Sequence, residues 1–376
     1  MPTVELKLPH HQYEIHIDID LLQRLGQLVN VRAAHARAAL LADELVYRHY
    51  GEPARSALLD VGYDVLVTRI PTGEANKNLD TVRNLYNALI EARLERKSPL
   101  IALGGGVTGD TAGFVAATYL RGIPFIQCPT TLLAMVDASV GGKVGVNLPQ
   151  GKNLVGAFHQ PVLVVIDPAT LKTLPTRELR CGLAECVKHA VIRDASLFDW
   201  LETNIDAILN LDMSTLVQLV KRNVQIKAKV VMADEKETGE RAHLNLGHTF
   251  AHAIETRQAY GRPTADTQTT HTYHHGEAVA LGMVAASRLA ANLGRCDRDI
   301  PRRIEGLLDR IGLPTRSSCL PPTGELLETM RLDKKVLCDH IRLVLPVAMG
   351  EVTMTIDVPP AAISDAWDSL RQTATS

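Results

Sequence analysis

Short apolar stretches alternate with helical patterns through the first 167 residues, and few folds accommodate that order. Helical spacing of apolar residues covers 21–29 and 78–95. Short stretches rich in Val, Ile and Leu predict strands at 4–8, 13–17, 38–42, 64–70, 100–103, 125–128 and 162–166. Strands that alternate with helices predict a parallel sheet with helices on its faces.

The pattern changes after Asp167 and Pro168. From about residue 177 to 312 the apolar residues mostly follow three- and four-residue spacing, which predicts helices. Residues 340–358 alternate around Gly350 and predict a hairpin, and residues 361–371 predict a closing helix. A chain of 376 residues is long enough for two domains. We therefore predict an α/β domain over residues 1–167 and a mainly α-helical domain over residues 168–376.

The composition excludes several classes of protein. Apolar residues make up 46% of the chain, which is enough for a large core and excludes a disordered chain. With 40 Lys and Arg against 42 Asp and Glu, no overall field draws the chain to nucleic acid or to an anionic membrane. No secretory signal and no membrane-spanning run is visible, so we expect neither a membrane nor a nucleic-acid partner. The six cysteines form no CxxC pair and are interpreted as reduced thiols in a cytoplasmic protein, with a metal role for Cys181 and Cys186 left open.

A glycine-rich segment, GGGVTGD at 104–110, directly follows the strand predicted at 100–103. It satisfies the GxGxxG pattern and opens a helical segment at 111–119. Glycines there let the backbone approach a pyrophosphate, and a helix N-terminus offers free N–H groups. An ordinary tight turn between strand and helix satisfies the same pattern. Asp43 ends an earlier strand, where it would either hold an adenosine ribose or cap a helix.

Charged and amide side chains are concentrated in glycine-rich surroundings between residues 137 and 153. Alternating valines around Gly141 and Gly142 are consistent with a plain hairpin that turns at these glycines. A hairpin does not explain why polar groups cluster there. Lys suits a phosphate or carboxylate, and Asp and Asn suit hydroxyl groups, so the segment predicts a site for an anionic, hydroxylated ligand. The residues concerned are Asp137, Lys143, Lys152 and Asn153.

Three separate segments carry side chains that can bind a metal. Glu185 shares a predicted helix face with Lys188 and His189, although a Glu-x-x-Lys pair is ordinarily a solvated surface ion pair. His275 opens an apolar helix. His248 belongs to a polar set at i, i+4, i+7 and i+11, which predicts one stripe along a helix through Arg241, Asn245, His248 and His252. Together Glu185, His248 and His275 would form a three-ligand zinc site with an open position, while each residue taken alone is as well explained by a structural role.

Ordered motifs cover nearly the whole chain, and together they are highly specific. They are PTGEANK at 71–77, GGGVTGD at 104–110, PTTLLAMVDASVGGKVGVN at 129–147, GKN at 151–153, TLPTRE at 173–178, GLAECVKHA at 182–190, DEKETGERAHLNLGHTFAHAIE at 234–255, HGEAVALGM at 275–283 and DKK at 333–335. In this combination the chain resembles the 3-dehydroquinate synthase family of sugar phosphate cyclases.

The resemblance implies a fold, a reaction and an assembly. It implies an N-terminal dinucleotide-binding α/β domain, a mainly helical C-terminal domain, an active site in the cleft between them and a homodimer. It implies conversion of 3-deoxy-D-arabino-heptulosonate 7-phosphate to 3-dehydroquinate and phosphate in the shikimate pathway to aromatic amino acids. The steps would be transient oxidation by NAD, phosphate elimination, re-reduction, ring opening and intramolecular aldol closure. The cofactors would be NAD and a divalent metal, Zn²⁺ or Co²⁺.

The resemblance also assigns residues to the two cofactors. The metal would be held by Glu185, His248 and His275. NAD would be contacted by Asp43, Glu74, Lys77, Gly106, Val107, Asp110, Thr130, Thr131, Asp137, Lys143, Lys152, Thr173 and Glu178.

A further set would bind the sugar phosphate. Its members would be Arg121, Asp137, Lys143, Lys152, Asn153, Lys188, Lys227, Glu237, Arg241, Asn245, His252 and one lysine of the pair Lys334 and Lys335, with Lys335 preferred. Catalytic roles would belong to Lys143, Lys188, Arg241, Asn245 and His252.

Two features depart from the family pattern, and other functions compete. The segment from 256 to 273 is longer than the usual connection, and His274 stands where an apolar residue is usual. The match to HGE fixes the register and favours His275 over His274 as ligand. The competing functions are a metal- and NAD-dependent polyol dehydrogenase, a cyclase for another sugar phosphate, and a non-catalytic sugar-phosphate-binding regulator. A dehydrogenase would not need the phosphate-directed set Lys152, Asn153 and Arg241. The presence of these three residues together with Asn245 favours the dehydroquinate reaction.

Overall fold

The computed structural model describes residues 1–237, 239–260, 272–332 and 341–372. The backbone divides into two compact units. The first consists of Met1–Leu179 and Leu211–Thr238, and the second of Arg180–Asn210 and Gly239–Ser376. Within the described ranges, no helix combines the length and the apolarity needed to cross a bilayer.

The first unit contains a seven-stranded sheet with the order β1-β2-β9-β6-β5-β3-β4, in which all pairs except β1–β2 are parallel. A separate hairpin joins β7 and β8. The strands are β1 (Thr3–Leu8), β2 (His11–Ile17), β3 (Arg37–Asp43), β4 (Asp64–Ile70), β5 (Leu100–Gly104), β6 (Phe125–Pro129), β7 (Lys143–Leu148), β8 (Gly151–Phe158) and β9 (Leu163–Ile166).

Helices cover both faces of this sheet, which explains why its central strands are almost continuously apolar. Strand β5 is buried along its whole length. The helices in chain order are α1 (Leu25–Ala33), α2 (Glu44–Val46), α3 (Glu52–Leu59), α4 (Leu79–Glu91) and α5 (Gly106–Thr118). Helix α4 buries Val82, Leu85 and Leu89 against the sheet, and Asn78 caps its N-terminus by accepting the Thr81 N–H at 2.9 Å.

The chain passes between the units more than once. Helix α6 (Thr176–Arg193) starts in the first unit and ends in the second, which also contains α7 (Ala195–Leu209). Helix α8 (Met213–Ala233) returns to the first unit and packs on β1, on β2 and on the short π-helical turn Ala134–Ala138.

The second unit is built around α10, whose residues are almost all buried. Helices α9, α11 and α13 and strand β10 pack against it. The remaining elements are α9 (His248–Tyr260), α10 (His275–Asn292), α11 (Asp299–Ile311), α12 (Thr323–Leu332), β10 (Leu343–Ala348), β11 (Glu351–Thr355) and α13 (Pro360–Asp368).

The predicted fold class is confirmed: a parallel α/β sheet is followed by a mainly helical part. The late hairpin is also confirmed, because β10 and β11 meet at Gly350, whose φ is 87°. The division at residues 167 and 168 stays a prediction about folding domains. His340, Cys338 and residues 262–271 of the long polar segment lie outside the described residues.

Two local predictions are wrong. The hairpin of the first unit turns between Leu148 and Gly151, not at Gly141 and Gly142. Those glycines precede β7 and have φ values of 101° and 65°, so they turn the chain into the strand instead.

The polar stripe from 241 to 252 is not one helix. A 3-10 turn covers Glu240–Asn245, and α9 begins only at His248. Gly247, with φ 78°, separates the two, because a left-handed residue interrupts a right-handed helix.

Candidate active site

In the first unit, the candidate ligand-binding residues lie at the carboxyl ends of β3 and β5. These strands are neighbours, yet the chain leaves β3 toward β4 on one side and leaves β5 toward β6 on the other. In open parallel sheets ligands bind at this change of direction. Asp43 stands at the end of β3, and Gly104 ends β5 beside it, one residue beyond the pair Ala42 and Leu103.

Helix α5 begins at Gly106 directly after β5, so its free N–H groups lie at this edge. Its glycines allow close packing. A Cβ on Gly109 would lie 2.7 Å from the Gln127 side chain, and one on Gly113 would lie 2.3 Å from Val144. Glycine is therefore required by packing at Gly113, whereas at Gly109 the end of the Gln127 side chain could move aside. Gly106 and Val107 lie at the helix start.

Thr130 and Thr131 follow β6 at the same edge. The Thr130 N–H donates to the Gly104 carbonyl at 2.9 Å. The Thr130 hydroxyl is buried and has no hydrogen-bond partner within the described chain. A side chain at Gly105 would begin 3.0 Å from Thr131 Cγ2. A free helix N-terminus, a buried hydroxyl without a partner and a glycine against Thr131 fit a bound dinucleotide phosphate.

Asp43 is a helix N-cap, as one of the two interpretations predicted. Its Oδ1 accepts the N–H groups of Leu45 at 2.8 Å and Val46 at 3.3 Å, and also the Thr72 hydroxyl at 2.9 Å. The cap does not exclude a contact of this carboxylate with a ribose.

Lys77 is buried and connects its own PTGEANK segment to the glycine-rich segment at 104–110 and to the β7–β8 hairpin. Its Nζ lies 2.5 Å from Asp110 Oδ2 and 2.5 Å from Asn153 Oδ1. Burial raises the pKa of Asp110, and the Lys77 cation opposes that rise. Asn147 extends the network by donating to Glu74 at 2.8 Å and accepting the Asn153 N–H at 2.9 Å. Asn153 has φ 53°, a left-handed conformation that Asn tolerates better than most residues.

Two further ion pairs lie within the first unit. Lys227, buried on α8, contacts Asp137, and Lys143 at the start of β7 contacts Glu237. Residues far apart in sequence are thus brought together in pairs that the resemblance assigns to one substrate.

The other assigned residues of this unit are placed as follows. Arg121 is exposed and has φ 67°, and Lys152 is exposed on β8. The Thr173 hydroxyl lies 2.9 Å from the Tyr50 hydroxyl. Glu178 is partly buried on the first turns of α6. Lys334 and Lys335 lie outside the described residues.

In the second unit, close contacts between glycines and the backbone of neighbouring elements bring a set of candidate metal ligands together. A Cβ on Gly276, at the start of α10, would lie 2.3 Å from the Cys181 carbonyl of α6. A Cβ on Gly282 would lie 2.1 Å from the carbonyl oxygen of Gly247, just before α9. The backbone of α10 is therefore in contact with that of α6 and with that of the residue before α9, which brings Glu185, His248 and His275 together.

The three side chains present donor atoms that all lie within 4.8 Å of one another. Glu185 Oε1 is 3.8 Å from His248 Nε2 and 3.5 Å from His275 Nε2. Neighbouring ligands of a tetrahedral zinc, with bonds of about 2.1 Å, are about 3.4 Å apart. One carboxylate and two imidazoles at this spacing fit Zn²⁺ or Co²⁺.

Both histidines turn Nε2 toward Glu185 because their Nδ1 atoms have other acceptors. His248 Nδ1 is 3.2 Å from the Leu246 carbonyl, and His275 Nδ1 is 3.2 Å from Glu255 Oε1. Burial and the Lys188 cation lower the pKa of His248 well below its usual range, which keeps this imidazole neutral. Burial also lowers the pKa of His275, but its hydrogen bonds to Glu185 and Glu255 together outweigh that effect and raise it to about 10.

His274 takes a different position from its neighbour. It is the N-cap residue of α10, and its N–H donates to Glu277 Oε2 at 2.8 Å. The structure thus brings His275, and not His274, against Glu185.

Lys188 contacts Glu185, and both side chains are buried, so the surface ion-pair interpretation is wrong. Arg241 is also buried. The Asn245 amide donates to the Ala242 carbonyl at 3.0 Å, and the His252 ring lies 5.7 Å from that of His248. Sequence reasoning missed Glu255, although His248, His252 and Glu255 continue one stripe of α9 at i, i+4 and i+7.

Comparison with known proteins identifies the family of this chain. Residues 67–181 match the model described as 3-dehydroquinate synthase N-terminal, and residues 182–336 match 3-dehydroquinate synthase C-terminal. The chain belongs to the 3-dehydroquinate synthase family. A 3-dehydroquinate synthase from Desulforamulus reducens is 46% identical over 363 residues, which cover 96% of this chain and 98% of that protein.

Solved structures extend the family comparison to related cyclases. A 2-epi-5-epi-valiolone synthase from Streptomyces hygroscopicus, with NAD⁺ and Zn²⁺ bound, has a TM-score of 0.85 at 28% identity, covering 97% of this chain and 98% of that one. A 2-deoxy-scyllo-inosose synthase, complexed with carbaglucose-6-phosphate, NAD⁺ and Co²⁺, has a TM-score of 0.86 at 25% identity, with coverage of 97% and 98%. Members of the 3-dehydroquinate synthase family and these cyclases therefore share one fold.

Proposed function

We propose that this chain is a 3-dehydroquinate synthase, a carbon–oxygen lyase that converts 3-deoxy-D-arabino-heptulosonate 7-phosphate to 3-dehydroquinate and phosphate. The observation that carries the proposal is the buried Lys188 cation in contact with Glu185, beside the donor atoms of His248 and His275. A cation buried next to a metal-donor set suits a substrate that is both hydroxylated and anionic.

The cofactors would be held by separate groups of residues. Glu185, His248 and His275 would hold Zn²⁺ or Co²⁺, and the start of α5 with Thr130 and Thr131 would hold the NAD pyrophosphate. When bound, NAD supplies a reversible hydride acceptor, and the metal supplies a Lewis acid for the substrate hydroxyls. Lys77 would hold the Asp110 and Asn153 side chains in place beside the dinucleotide.

The remaining residues would bind and orient the sugar phosphate. Lys152, Asn153 and Arg241 would hold the phosphate, with Lys335 as a further candidate. Asp137 and Glu237, each already paired with a lysine, would accept hydrogen bonds from substrate hydroxyls and donate none. His252 and Asn245 would arrange the proton transfers that accompany loss of phosphate.

The resemblance also supports a homodimer in the cytoplasm. Cys128, Cys296 and Cys319 are free thiols, as expected in a reducing compartment.

The decisive experiment uses the full chain with Zn²⁺, the heptulosonate phosphate and NAD at far less than one equivalent of substrate. Because hydride returns to the substrate, we expect many turnovers of phosphate release and no accumulation of NADH. NADH that accumulates in proportion to product would indicate a polyol dehydrogenase instead. Phosphate release from glucose 6-phosphate, but not from the heptulosonate phosphate, would indicate another cyclase.

A further inference from the structure

We propose that Glu255 is a positioning residue that fixes the His275 imidazole with its Nε2 atom toward Glu185 and His248. The inference rests on the metal site of the proposed function and adds a residue to it. Glu255 Oε1 lies 3.2 Å from His275 Nδ1, while His275 Nε2 lies 3.5 Å from Glu185 Oε1. The ring therefore stands between two carboxylates, one on each nitrogen.

The position of Glu255 on α9 makes this contact possible. His248 opens α9, and Glu255 follows seven residues later, two turns along the same face. The Glu255 side chain is only 16% exposed, so it is held at the helix interface and does not extend into solvent. One helix thus supplies both a candidate ligand, His248, and the group that orients a second ligand on α10.

His275 depends on a side chain for its orientation, whereas His248 does not. The backbone carbonyl of Leu246 lies 3.2 Å from His248 Nδ1 and holds that ring. His275 is the first residue of α10, and its side chain is 34% exposed, so packing restrains it less. In metal sites a carboxylate or carbonyl that accepts the second ring N–H fixes both the tautomer and the ring direction.

Three substitutions of Glu255 distinguish the effect of its side-chain length from the effect of its negative charge. Glu255→Gln keeps an oxygen acceptor at the same distance and removes the charge. Glu255→Asp keeps the charge and shortens the side chain by one methylene, so the acceptor no longer reaches Nδ1. Glu255→Ala removes both. A positioning role predicts that Gln preserves metal binding and that Asp and Ala weaken it by about ten- to a hundredfold.

The measurement is a titration of chelator-treated full-length chain with Co²⁺, without NAD or substrate, followed by visible absorption and by competition with a chromophoric chelator. We expect the wild-type spectrum for Glu255→Gln and an altered spectrum with weaker binding for Glu255→Asp and Glu255→Ala. Glu328→Gln is the matched control, because Glu328 pairs with Arg257 of α9 on the exposed side and should leave binding unchanged. Thermal unfolding of each metal-free variant identifies any variant that does not fold. The Co²⁺ binding of the remaining folded variants then tests the proposal.

Suppose that Glu255→Asp binds Co²⁺ as wild type does and that Glu255→Gln binds it as weakly as Glu255→Ala. That result would overturn the positioning role, because only the negative charge of residue 255 would then matter. Equal binding by wild type and all three variants would also overturn it. The proposed metal site fails separately: in that case His275→Ala would bind Co²⁺ as tightly as wild type.

Discussion

Gly247 and Gly282 bring the backbone preceding α9 into contact with that of α10. A Cβ on Gly282 would lie 2.1 Å from the Gly247 carbonyl oxygen, and one on Gly247 would lie 2.8 Å from the Met283 nitrogen. Neither glycine can gain a methyl group without a shift of backbone. Because His248 follows Gly247 directly, the same contact determines where this imidazole faces Glu185.

Gly282→Ala should therefore affect both stability and metal binding. Overpacking against backbone costs about 1–3 kcal/mol, so urea unfolding of the metal-free chain should show that loss. Co²⁺ should bind more weakly because α9 is displaced. Gly306→Ala, at an open position on α11, is the control and should raise stability by up to about 1 kcal/mol. Equal stability of Gly282→Ala and wild type would contradict the packing argument.

The two adjacent histidines should differ in metal content. His275→Ala removes a donor that faces Glu185, so the purified variant should lose bound zinc in elemental analysis. His274→Ala alters the residue that caps α10 and should keep zinc, with at most a small loss of stability. The reverse result would show that the assignment of the ligand is off by one residue.

We expect the exposed Lys152 side chain to bind the phosphate group of the substrate and to contribute little to binding of the rest of that molecule. Lys152→Ala should weaken binding of a phosphonate substrate analogue by about ten- to a hundredfold, because a charge-assisted hydrogen bond contributes about 1.5–3 kcal/mol. Calorimetry with an analogue that lacks the phosphonate should show almost no change. Lys172→Ala, another exposed lysine of the first unit, should bind both analogues as wild type does. Similar losses with both analogues would argue against a phosphate contact.

The cysteines should differ sharply in reactivity. Burial, and to a lesser extent the Asp167 charge, raise the pKa of the Cys128 thiol far above its usual range. Alkylation requires the thiolate, so iodoacetamide at pH 8 should leave Cys128 unmodified in the native chain. Cys319 is exposed and should be modified. Peptide mapping by mass spectrometry distinguishes the two, and rapid modification of Cys128 would mean that the core opens.

Sequence predicts the sheet well because each central strand has its own signal. The strands predicted at 100–103 and 125–128 are observed as Leu100–Gly104 and Phe125–Pro129, and both are buried along their whole length. Apolar residues buried on both faces give a run that local sequence is enough to identify.

Properties that depend on distant contacts were not predictable. The i, i+3 spacing of Glu185 and Lys188 predicts that the two side chains share one face of a helix. It does not predict that this face is buried, because burial depends on the elements that pack against α6. Gly141 and Gly142 resemble a hairpin turn until the strand pairing shows that β7 begins after them and turns back between Leu148 and Gly151. Glu255 was overlooked because its partner, His275, lies 20 residues further along the chain.

The return of α8 to the first unit affects how genes of this type can recombine. Neither unit is one continuous stretch of chain, so a single crossover near codon 168 would separate α8 from the sheet on which it packs. A chimaera made in that way would take Asp137 from one parent and Lys227 from the other. Only parents that agree at both positions would keep this buried ion pair, and we expect the two residues to be inherited together.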